Sequence, residues 1–356
     1  MEFVYKFPVV KGIQAKKDYY IAMVPMKMLV KLFPSDEEYV SPEYRAQRKL
    51  NESRIPIISK YIVDNRDTYV FSALAASIDG NFTYCPSSDN PNVGVLEVEM
   101  DAKFLLNDGQ HRKSAILNAL LEDPSLGEET ISVVLFADKG LERSQQIFTD
   151  LNKNAVRTSN SISELYDSRD PLAVATRNVV RNIEFFNKYT DKEKDNLGKY
   201  SSSLFTLNTF YVANKIIVGK HLEAGAEGFL LHFWSAVANN MVPWIELEEK
   251  QITKISLREN YIATQNVVIQ ALGRVGNQFY LDGEYDIDEI MKLLKNVNWE
   301  RAAKEWYLRA IGTNGRIITN KKASILISNV IKKTLGLELS NEEQRVENEF
   351  KKQISE

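Results

Sequence analysis

The chain of 356 residues has few of the side chains that proteins use most often for metal binding and covalent catalysis. It contains three histidines and one cysteine, Cys85. A single thiol excludes an internal disulfide and every zinc site that needs several thiolates. No Walker A sequence is present. These absences direct attention to polar groups other than thiols.

Long apolar runs are also missing. The richest one, residues 228–244, is too short and too interrupted to span a bilayer and is better interpreted as a buried helix. The first ten residues lack the basic start and continuous apolar stretch of a signal peptide. We therefore expect a cytoplasmic protein without a membrane partner.

The charge balance excludes a general attraction to nucleic acid. The formal net charge is -3 at pH 7, so any DNA binding must use a local basic patch. Two segments qualify, although such clusters are more often solvated helix faces: the first holds Arg45, Arg48, Lys49, Arg54 and Lys60, and the second holds Arg316, Lys321, Lys322, Lys332 and Lys333. We select Arg316, Lys321 and Lys322 as DNA-binding candidates, because an Asn-Gly turn would project Arg316.

The hydrophobic pattern predicts an α+β protein in two domains. Strand-like and helix-like segments alternate over residues 1–160, whereas residues 161–356 are mainly helix-like. Ser161 with Glu164 has the spacing of a capping box, and Asp170 with Pro171 has the pattern of an N-cap and first helical residue. We interpret GRVGNQ, residues 273–278, as a loop.

The stretch FLLNDGQHRKSAILNAL, residues 104–120, places five polar residues where a strand ends and a helix begins. The first N–H groups of a helix lack internal partners and attract anions. Gly109 would let the backbone approach a ligand, and Arg112 could donate two hydrogen bonds to a phosphate. Asp108 could hold a metal or polarise water, Gln110 could add an amide, and His111 should stay neutral. We select Asp108, Gln110, His111 and Arg112 as catalytic candidates.

Each of these groups also has an ordinary structural explanation. Asp108 could be the N-cap, Gly109 could only form the turn, Arg112 could pair with Glu142, and His111 could bond to a neighbouring strand. A helix start needs one cap, however, and four adjacent groups that complement a phosphate exceed that need. We therefore predict phosphate binding by Gly109 and Arg112.

The same residues carry a resemblance to a known family. DGQHR followed by a small residue and an apolar helix resembles the DGQHR-domain proteins. Further stretches occur in the order seen in the DndB family of bacterial DNA phosphorothioate (sulfur) modification systems, namely QRKLNESRIPIISKYI, YVFSALAASIDG, IFTDLNKNAV and SSSLFTL. The resemblance covers most of residues 20–215. It implies an accessory or regulatory DNA-binding protein whose partners are DNA and other proteins of the system; self-association stays open.

A wider resemblance concerns the turn alone. The ParB and sulfiredoxin superfamily binds nucleotide phosphates with a strand followed by a Gly-containing, Arg-ending box at a helix start. This implies a ParB/sulfiredoxin-like N-terminal domain in which Arg112 is a phosphate ligand. The downstream Phe-x-x-x-Asn segment is matched by Phe148 and Asn152, which adds Asn152 to the phosphate-binding candidates. Gln110 occupies the place of the sulfiredoxin cysteine, so thiol chemistry is excluded.

Two functions of different class remain open from the sequence. The protein is either a non-catalytic DNA-binding accessory, or an enzyme that hydrolyses a nucleoside triphosphate or nicks DNA. The enzyme would use Mg²⁺ at Asp108 and Arg112 on the phosphate. It would need a second carboxylate near Asp108, for which Glu97, Glu99 and Asp150 are candidates. We expect Arg112→Ala to abolish phosphate binding and to leave the fold intact.

Overall fold

The protein is described from a computed structural model that covers residues 4–33, 52–137, 146–147, 150–151, 158–198, 200–219 and 222–355. The chain divides into two compact units, residues 1–156 and 157–356. Strands and helices mix in the first unit, and the second is mainly helical. The predicted α+β class with a helical C-terminal region is therefore confirmed.

A seven-stranded sheet organises the first unit. Its strands are β1 (Val4–Gln14), β2 (Lys17–Pro25), β3 (Leu74–Asp79), β4 (Phe82–Pro86), β5 (Val93–Glu99), β6 (Lys103–Asp108) and β7 (Thr130–Phe136). Their order across the sheet is β4-β5-β1-β2-β7-β3-β6. Only β3 and β7 pair in parallel, and every other neighbouring pair is antiparallel.

The sheet curls around an apolar core. Alternate residues of β7 are buried, as expected for a strand with one face on the core. Phe104 of the edge strand β6 packs edge-on against Phe7 of β1, with ring centroids 5.9 Å apart. Because four strand positions separate β1 from β6, this contact requires strong curvature.

Among the described residues, the first unit includes the helices α1 (Leu29–Leu32), α2 (Ile55–Asp64) and α3 (Gln110–Glu122). Pro56 lies in the first turn of α2, where its missing N–H costs no helix hydrogen bond. Helix α3 buries Ala115, Ile116 and Ala119 and ends before Pro124. The sheet and α3 together position the polar residues at 108–112.

The second unit packs its helices around an aromatic core. The helices are α4 (Asn160–Tyr166), α5 (Pro171–Asn182), α6 (Glu184–Tyr189), α7 (Leu207–Val218), α8 (Ala226–Asn240), α9 (Val242–Glu248), α10 (Lys254–Asn260), α11 (Asn266–Asp282), α12 (Ile287–Met291), α13 (Lys321–Thr334) and α14 (Asn341–Ser355). Phe186, Phe210 and Trp234 are fully buried and in mutual ring contact. Asp170 caps α5, as predicted.

Two predictions for this unit are wrong. Residues 273–278 lie inside α11, not in a loop. A Cβ atom on Gly273 would lie 2.9 Å from the Ala213 carbonyl oxygen, so this glycine serves helix packing and not a turn. The capping box also fails, because Ser159 caps α4 by accepting from the Ile162 N–H, while the Ser161 hydroxyl donates to the Lys194 carbonyl.

The apolar run at 228–244 forms the interior of α8 and the start of α9, which confirms its interpretation as a buried helix. Met241 lies between the two helices and separates them. Within the described residues, no helix has the length and apolar character needed to cross a membrane.

Candidate functional site

Strand β6 ends in a β-bulge that separates two polar side chains. Leu106 pairs with Ala76 and Asp108 pairs with Ala75, so Asn107 is the extra residue. Asn107 is fully buried and accepts a hydrogen bond from the Ser77 hydroxyl at 3.0 Å. The bulge thus turns one polar residue into the core, while Asp108 keeps 45 % of its side chain exposed.

Gly109 makes the connection between β6 and α3. Its φ of 104° lies in the left-handed region that favours glycine. A Cβ atom here would lie 2.3 Å from Leu74 Cδ2, so the backbone also approaches β3 too closely for any side chain. The close approach of Gly109 to a ligand stays a prediction, because the observed close approach is to the protein's own strand.

Helix α3 starts without a side-chain cap. Gly109 is its N-cap residue and has no side chain that could bond to the first-turn N–H groups. The structural alternative in which Asp108 caps the helix is wrong, because Asp108 precedes the N-cap and bonds to Arg112 instead. The first-turn N–H groups and their partial positive charge thus receive no hydrogen bond from a side chain of the N-cap residue.

Arg112 faces the protein and not the solvent. Its Nη1 donates to the carbonyl oxygens of Ser72, at 2.7 Å, and Ala73, at 2.8 Å, and also to the Ser72 hydroxyl. Its Nη2 donates to Asp108 Oδ2 at 2.6 Å. Only 17 % of the side chain is exposed. The contacts of Arg112 therefore conflict with the expectation that Arg112→Ala would leave the fold intact. Glu142, which was an alternative partner for Arg112, lies outside the described residues.

The segment 66–73 makes polar contacts near both ends of α3. At the far end, Arg66 pairs with Asp123 at 3.0 Å and with Glu129 at 2.6 Å, and the Tyr69 hydroxyl donates to Glu129. Burial, together with this bond to a carboxylate, raises the pKa of Tyr69 to about 12. The segment therefore forms a wall beside α3. Sequence reasoning missed the contact of this segment with α3, because Ser72 and Arg112 are 40 residues apart and no local pattern marks the pair.

Gln110 and His111 complete the turn, and both are half-buried at the start of α3. Arg112 and Asp108 neutralise each other, so the remaining field at the turn is that of the helix N-terminus. This arrangement can hold an anion through backbone N–H groups, with the Gln110 amide and the Asp108 carboxylate close in sequence. Phe148 and Asn152 lie outside the described residues.

The carboxylates predicted to assist Asp108 are engaged elsewhere. Glu97 pairs with Lys6 at 2.7 Å, Glu99 accepts from the Asn81 amide, and Asp150 accepts from Gln146. Glu99 ends β5 just before β6 starts, whereas Asp108 is at the opposite end of β6. In the described part of the chain, no three His, Cys, Asp or Glu residues are placed to hold a metal ion.

The basic segment near the C terminus is largely neutralised. Arg316 is exposed after the turn at Asn314 and Gly315, as predicted. Lys321 pairs with Glu342 at 3.1 Å, and Lys322 donates to Gln353 at 3.0 Å. The other predicted basic residues are distributed as follows: Lys332 and Lys333 pair with Glu343 and Glu347, Arg54 and Lys60 are exposed, and Arg45, Arg48 and Lys49 lie outside the described residues.

Of the histidines in the C-terminal half, His232 Nε2 lies 3.1 Å from Asp288 Oδ1 on the surface. His221 lies outside the described residues. His232 therefore has one acidic neighbour, and the described residues supply no further ligand for a metal site there.

The site thus consists of a strand, a β-bulge, a glycine turn and a helix held by Arg112. The protein that carries it belongs to a class associated with DNA sulfur modification. A family model with that description matches residues 7–338, which is most of the chain. The family is DndB, and the chain belongs to it. Searches of curated proteins and of solved structures gave no match. Membership of this family implies involvement in a DNA sulfur modification system.

Proposed function

We propose that the protein is an accessory, regulatory DNA-binding component of a DNA phosphorothioation system, and that its α3 turn binds a phosphate of a nucleotide or of DNA. The observation that carries the proposal is the uncapped start of a 13-residue helix directly after a glycine with φ of 104°. Such a start presents N–H donors and partial positive charge to an anion. Family membership supplies the DNA context.

The side chains at the turn have different roles in this proposal. Gln110 donates to the phosphate, and Gly109, which is buried against Leu74, provides the left-handed turn from which the helix starts. Arg112 contributes positive charge and fixes Asp108 and the segment 66–73, since its donors already serve Ser72 and Ala73. The order of strand, glycine, helix and arginine supports a ParB/sulfiredoxin-like domain, with Asn152 as an additional phosphate ligand.

The DNA contact is proposed for the second unit, at the turn that carries Arg316. This side chain is exposed. Lys321 and Lys322 would exchange their present partners, Glu342 and Gln353, for backbone phosphates. The other partners are proteins of the same modification system.

A second candidate function is hydrolysis of a nucleoside triphosphate or nicking of DNA at the same turn. The observation that favours it is the Asp108 carboxylate, which is nearly half exposed and binds Arg112 through Oδ2 only. The free oxygen could bind Mg²⁺ that carries a nucleotide. His111 would then act in proton transfer.

Calorimetric titration with nucleoside triphosphates and short duplex DNA, combined with a phosphate-release assay, separates the two functions. The informative variant is Asp108→Asn, since Arg112→Ala would disturb the fold. If the turn only binds phosphate, removing a nearby negative charge tightens binding and no release occurs in any sample. If the turn is catalytic, the wild-type protein releases phosphate and Asp108→Asn does not.

Gln110→Ala provides the test of the turn itself. We expect it to weaken nucleotide or DNA binding about tenfold, the effect of one hydrogen bond to a charged group. Unchanged binding in both Gln110→Ala and Asp108→Asn would remove the turn from the function.

DNA contact is tested by Arg316→Ala, with Lys60→Ala from the other predicted basic segment as the matched comparison. Loss of one phosphate contact should weaken DNA binding uniformly across sequences and reduce the salt slope by about 1. An unchanged slope for Arg316→Ala would contradict the proposed contact.

A further inference from the structure

A cavity of about 270 Å³ with a mixed polar and apolar lining opens at the surface of the second unit. Its wall is formed by the loop 195–198, by Arg258 of α10, by the start of α11, and by Ile317 and Thr319 just after Arg316. Neither the α3 turn nor the family description accounts for this cavity. Four features of its wall indicate what it binds.

The first feature is the start of α11. This helix has 17 residues, and its N-cap residue Gln265 is extended and makes no side-chain bond to the first turn. Both Gln265 and Asn266 line the cavity. The first-turn N–H groups of a long helix therefore stand at the cavity wall, with the partial positive charge of the helix dipole.

The second feature is the Thr264 hydroxyl. Thr264 lines the cavity and is only 7 % exposed, and its side chain makes no hydrogen bond to another described residue. The neighbouring Thr206, Thr209 and Asn266 side chains, in contrast, bond to one another at 2.9 Å. The Thr264 hydroxyl is therefore a donor that a ligand in the cavity could use.

The third feature is a guanidinium in a desolvated position. Arg258 is half-buried, and its Nη2 donates to the Ser203 carbonyl oxygen. Burial lowers the pKa of Arg258, because it penalises the cation. An anion in the cavity would relieve that penalty.

The fourth feature concerns the acid in the wall, Asp195. Its two carboxylate oxygens accept from the backbone N–H groups of Asn160, at 2.8 Å, and Ser161, at 2.9 Å. These bonds outside the cavity lower the pKa of Asp195 and engage both oxygens at the start of α4. Asp195 therefore does not occupy the N–H groups at the start of α11, which remain available to an anionic ligand.

We propose that this cavity is a phosphate-binding site, formed by the first-turn N–H groups of α11, the Thr264 hydroxyl and the Arg258 guanidinium. The site goes beyond the proposed function, because it lies in the second unit and uses none of residues 108–112. A nucleotide and a nucleic-acid backbone both present this phosphate chemistry. Arg316 stands one residue before the cavity wall and would meet the next phosphate of a longer ligand.

The decisive variant is Gln265→Asp. An aspartate at this N-cap position would bond to the first-turn N–H groups, which stabilises α11 and at the same time excludes an anion. Gln344→Asp makes the same change of charge at an exposed position of α14 that does not line the cavity. Inorganic phosphate, ATP and a short duplex DNA are titrated calorimetrically into the full chain and into both variants.

We expect Gln265→Asp to raise the Kd for inorganic phosphate at least tenfold and to keep or raise the melting temperature, with Gln344→Asp like the wild type. Thr264→Val, which removes only the hydroxyl, should raise the Kd about threefold or more. Gln110→Ala should weaken only the binding event at the α3 turn, and the double variant Gln110→Ala/Gln265→Asp should weaken both events. These patterns distinguish the cavity from the α3 turn, so one can fail without the other.

The three probes identify the source of the phosphate. Weaker ATP binding in Gln265→Asp, with DNA binding unchanged, assigns the site to a nucleotide. Weaker DNA binding with a salt slope smaller by about 1 assigns it to a nucleic-acid backbone. The proposal is overturned if the wild-type protein binds none of the probes, or if Gln265→Asp binds all of them like Gln344→Asp.

Discussion

At the scale of single residues, Arg112 combines a structural task with its proposed charge. It connects α3 to residues 72 and 73 through their carbonyl oxygens. Arg112→Ala leaves these acceptors without their donor and should lower the free energy of unfolding by about 2 kcal/mol. Arg112→Lys keeps the charge but not the planar set of donors, and should lower it by about 1 kcal/mol. Urea denaturation measures both, and equal stability of Arg112→Ala and wild type would contradict the assignment.

Gly109 is the second residue for which the structure predicts a specific loss of stability on substitution. Gly109→Ala adds a Cβ that meets Leu74 in a backbone conformation unfavourable to alanine, so we expect a loss of about 3 kcal/mol. Gly283→Ala is the matched control, because Gly283 also has positive φ but has open space around it. The control should lose only about 1 kcal/mol. Thermal unfolding compares the two, and similar losses would show that crowding against Leu74 is unimportant.

At the scale of elements, the glycines of α11 permit close helix packing. Gly273 approaches the Ala213 carbonyl oxygen of α7, so Gly273→Ala should destabilise by about 1–2 kcal/mol although alanine favours helices. Gly228 lies in α8 with open space around it, and Gly228→Ala should stabilise by up to about 1 kcal/mol. Opposite signs in denaturant unfolding are the expected result. Stabilisation by both changes would mean that α7 and α11 are not in close contact.

Helices α13 and α14 are joined by buried ion pairs. Glu347 is 2 % exposed and accepts two bonds from Arg309, at 2.7 and 2.8 Å, and others from Asn329 and Lys333. These bonds lower the pKa of Glu347 to about 2, against the opposing effect of burial. A depressed pKa stabilises the fold above pH 4.5, and this contribution is lost as pH falls toward 2.

Glu347→Gln therefore should remove about 3 kcal/mol at pH 7 and less than about 0.5 kcal/mol at pH 2, where Glu347 is about half protonated in the folded protein and almost fully protonated in the unfolded one. Unfolding followed by circular dichroism between pH 2 and 7 measures the difference. A constant difference over this range would contradict the lowered pKa. Glu349→Gln, on the exposed side of α14, serves as the control.

Elements with strong local signals were predictable, and contacts between distant residues were not. The change from strand to helix within residues 104–120 and the cap at Asp170 follow from patterns a few residues long. The acceptors of Arg112 lie 40 residues away, so its burial had no local signal. Gly273 misled for a related reason, because a glycine that serves packing has the same sequence pattern as one in a turn.

At the scale of the whole molecule, buried carboxylates should give the second unit an unusual pH profile. Glu164 is 9 % exposed, and burial, followed by the charges of Asp195 and Asp170, raises its pKa to about 8. A raised pKa means that its contribution is complete below pH 4.5 and lost as pH rises through 8. Glu347 acts in the opposite direction below pH 4.5, so maximal stability should lie near pH 5.

Glu164→Gln should abolish the loss of folding stability that Glu164 causes as the pH rises toward 8. The variant resembles the protonated acid, so it should exceed the wild type in stability by roughly 4 kcal/mol at pH 8.5 and match it near pH 4. Glu184→Gln, at an exposed position nearby in sequence, is the control. Urea unfolding at the two pH values is the measurement, and a wild type as stable at pH 8.5 as at pH 5 would contradict the raised pKa.

The position of α14 has a practical consequence for anyone who shortens the protein. The family similarity ends at residue 338, three residues before α14 begins, so a truncation guided by similarity alone would remove this helix. Its removal would expose Ile325 and Leu326, which pack against Val346 and Phe350 of α14. It would also take Glu343 from Lys332 and Glu347 from Arg309, and lost apolar contacts and lost ion pairs both destabilise a fold. Expression trials should therefore end after residue 355, because a shorter chain would misfold for a reason unrelated to its function.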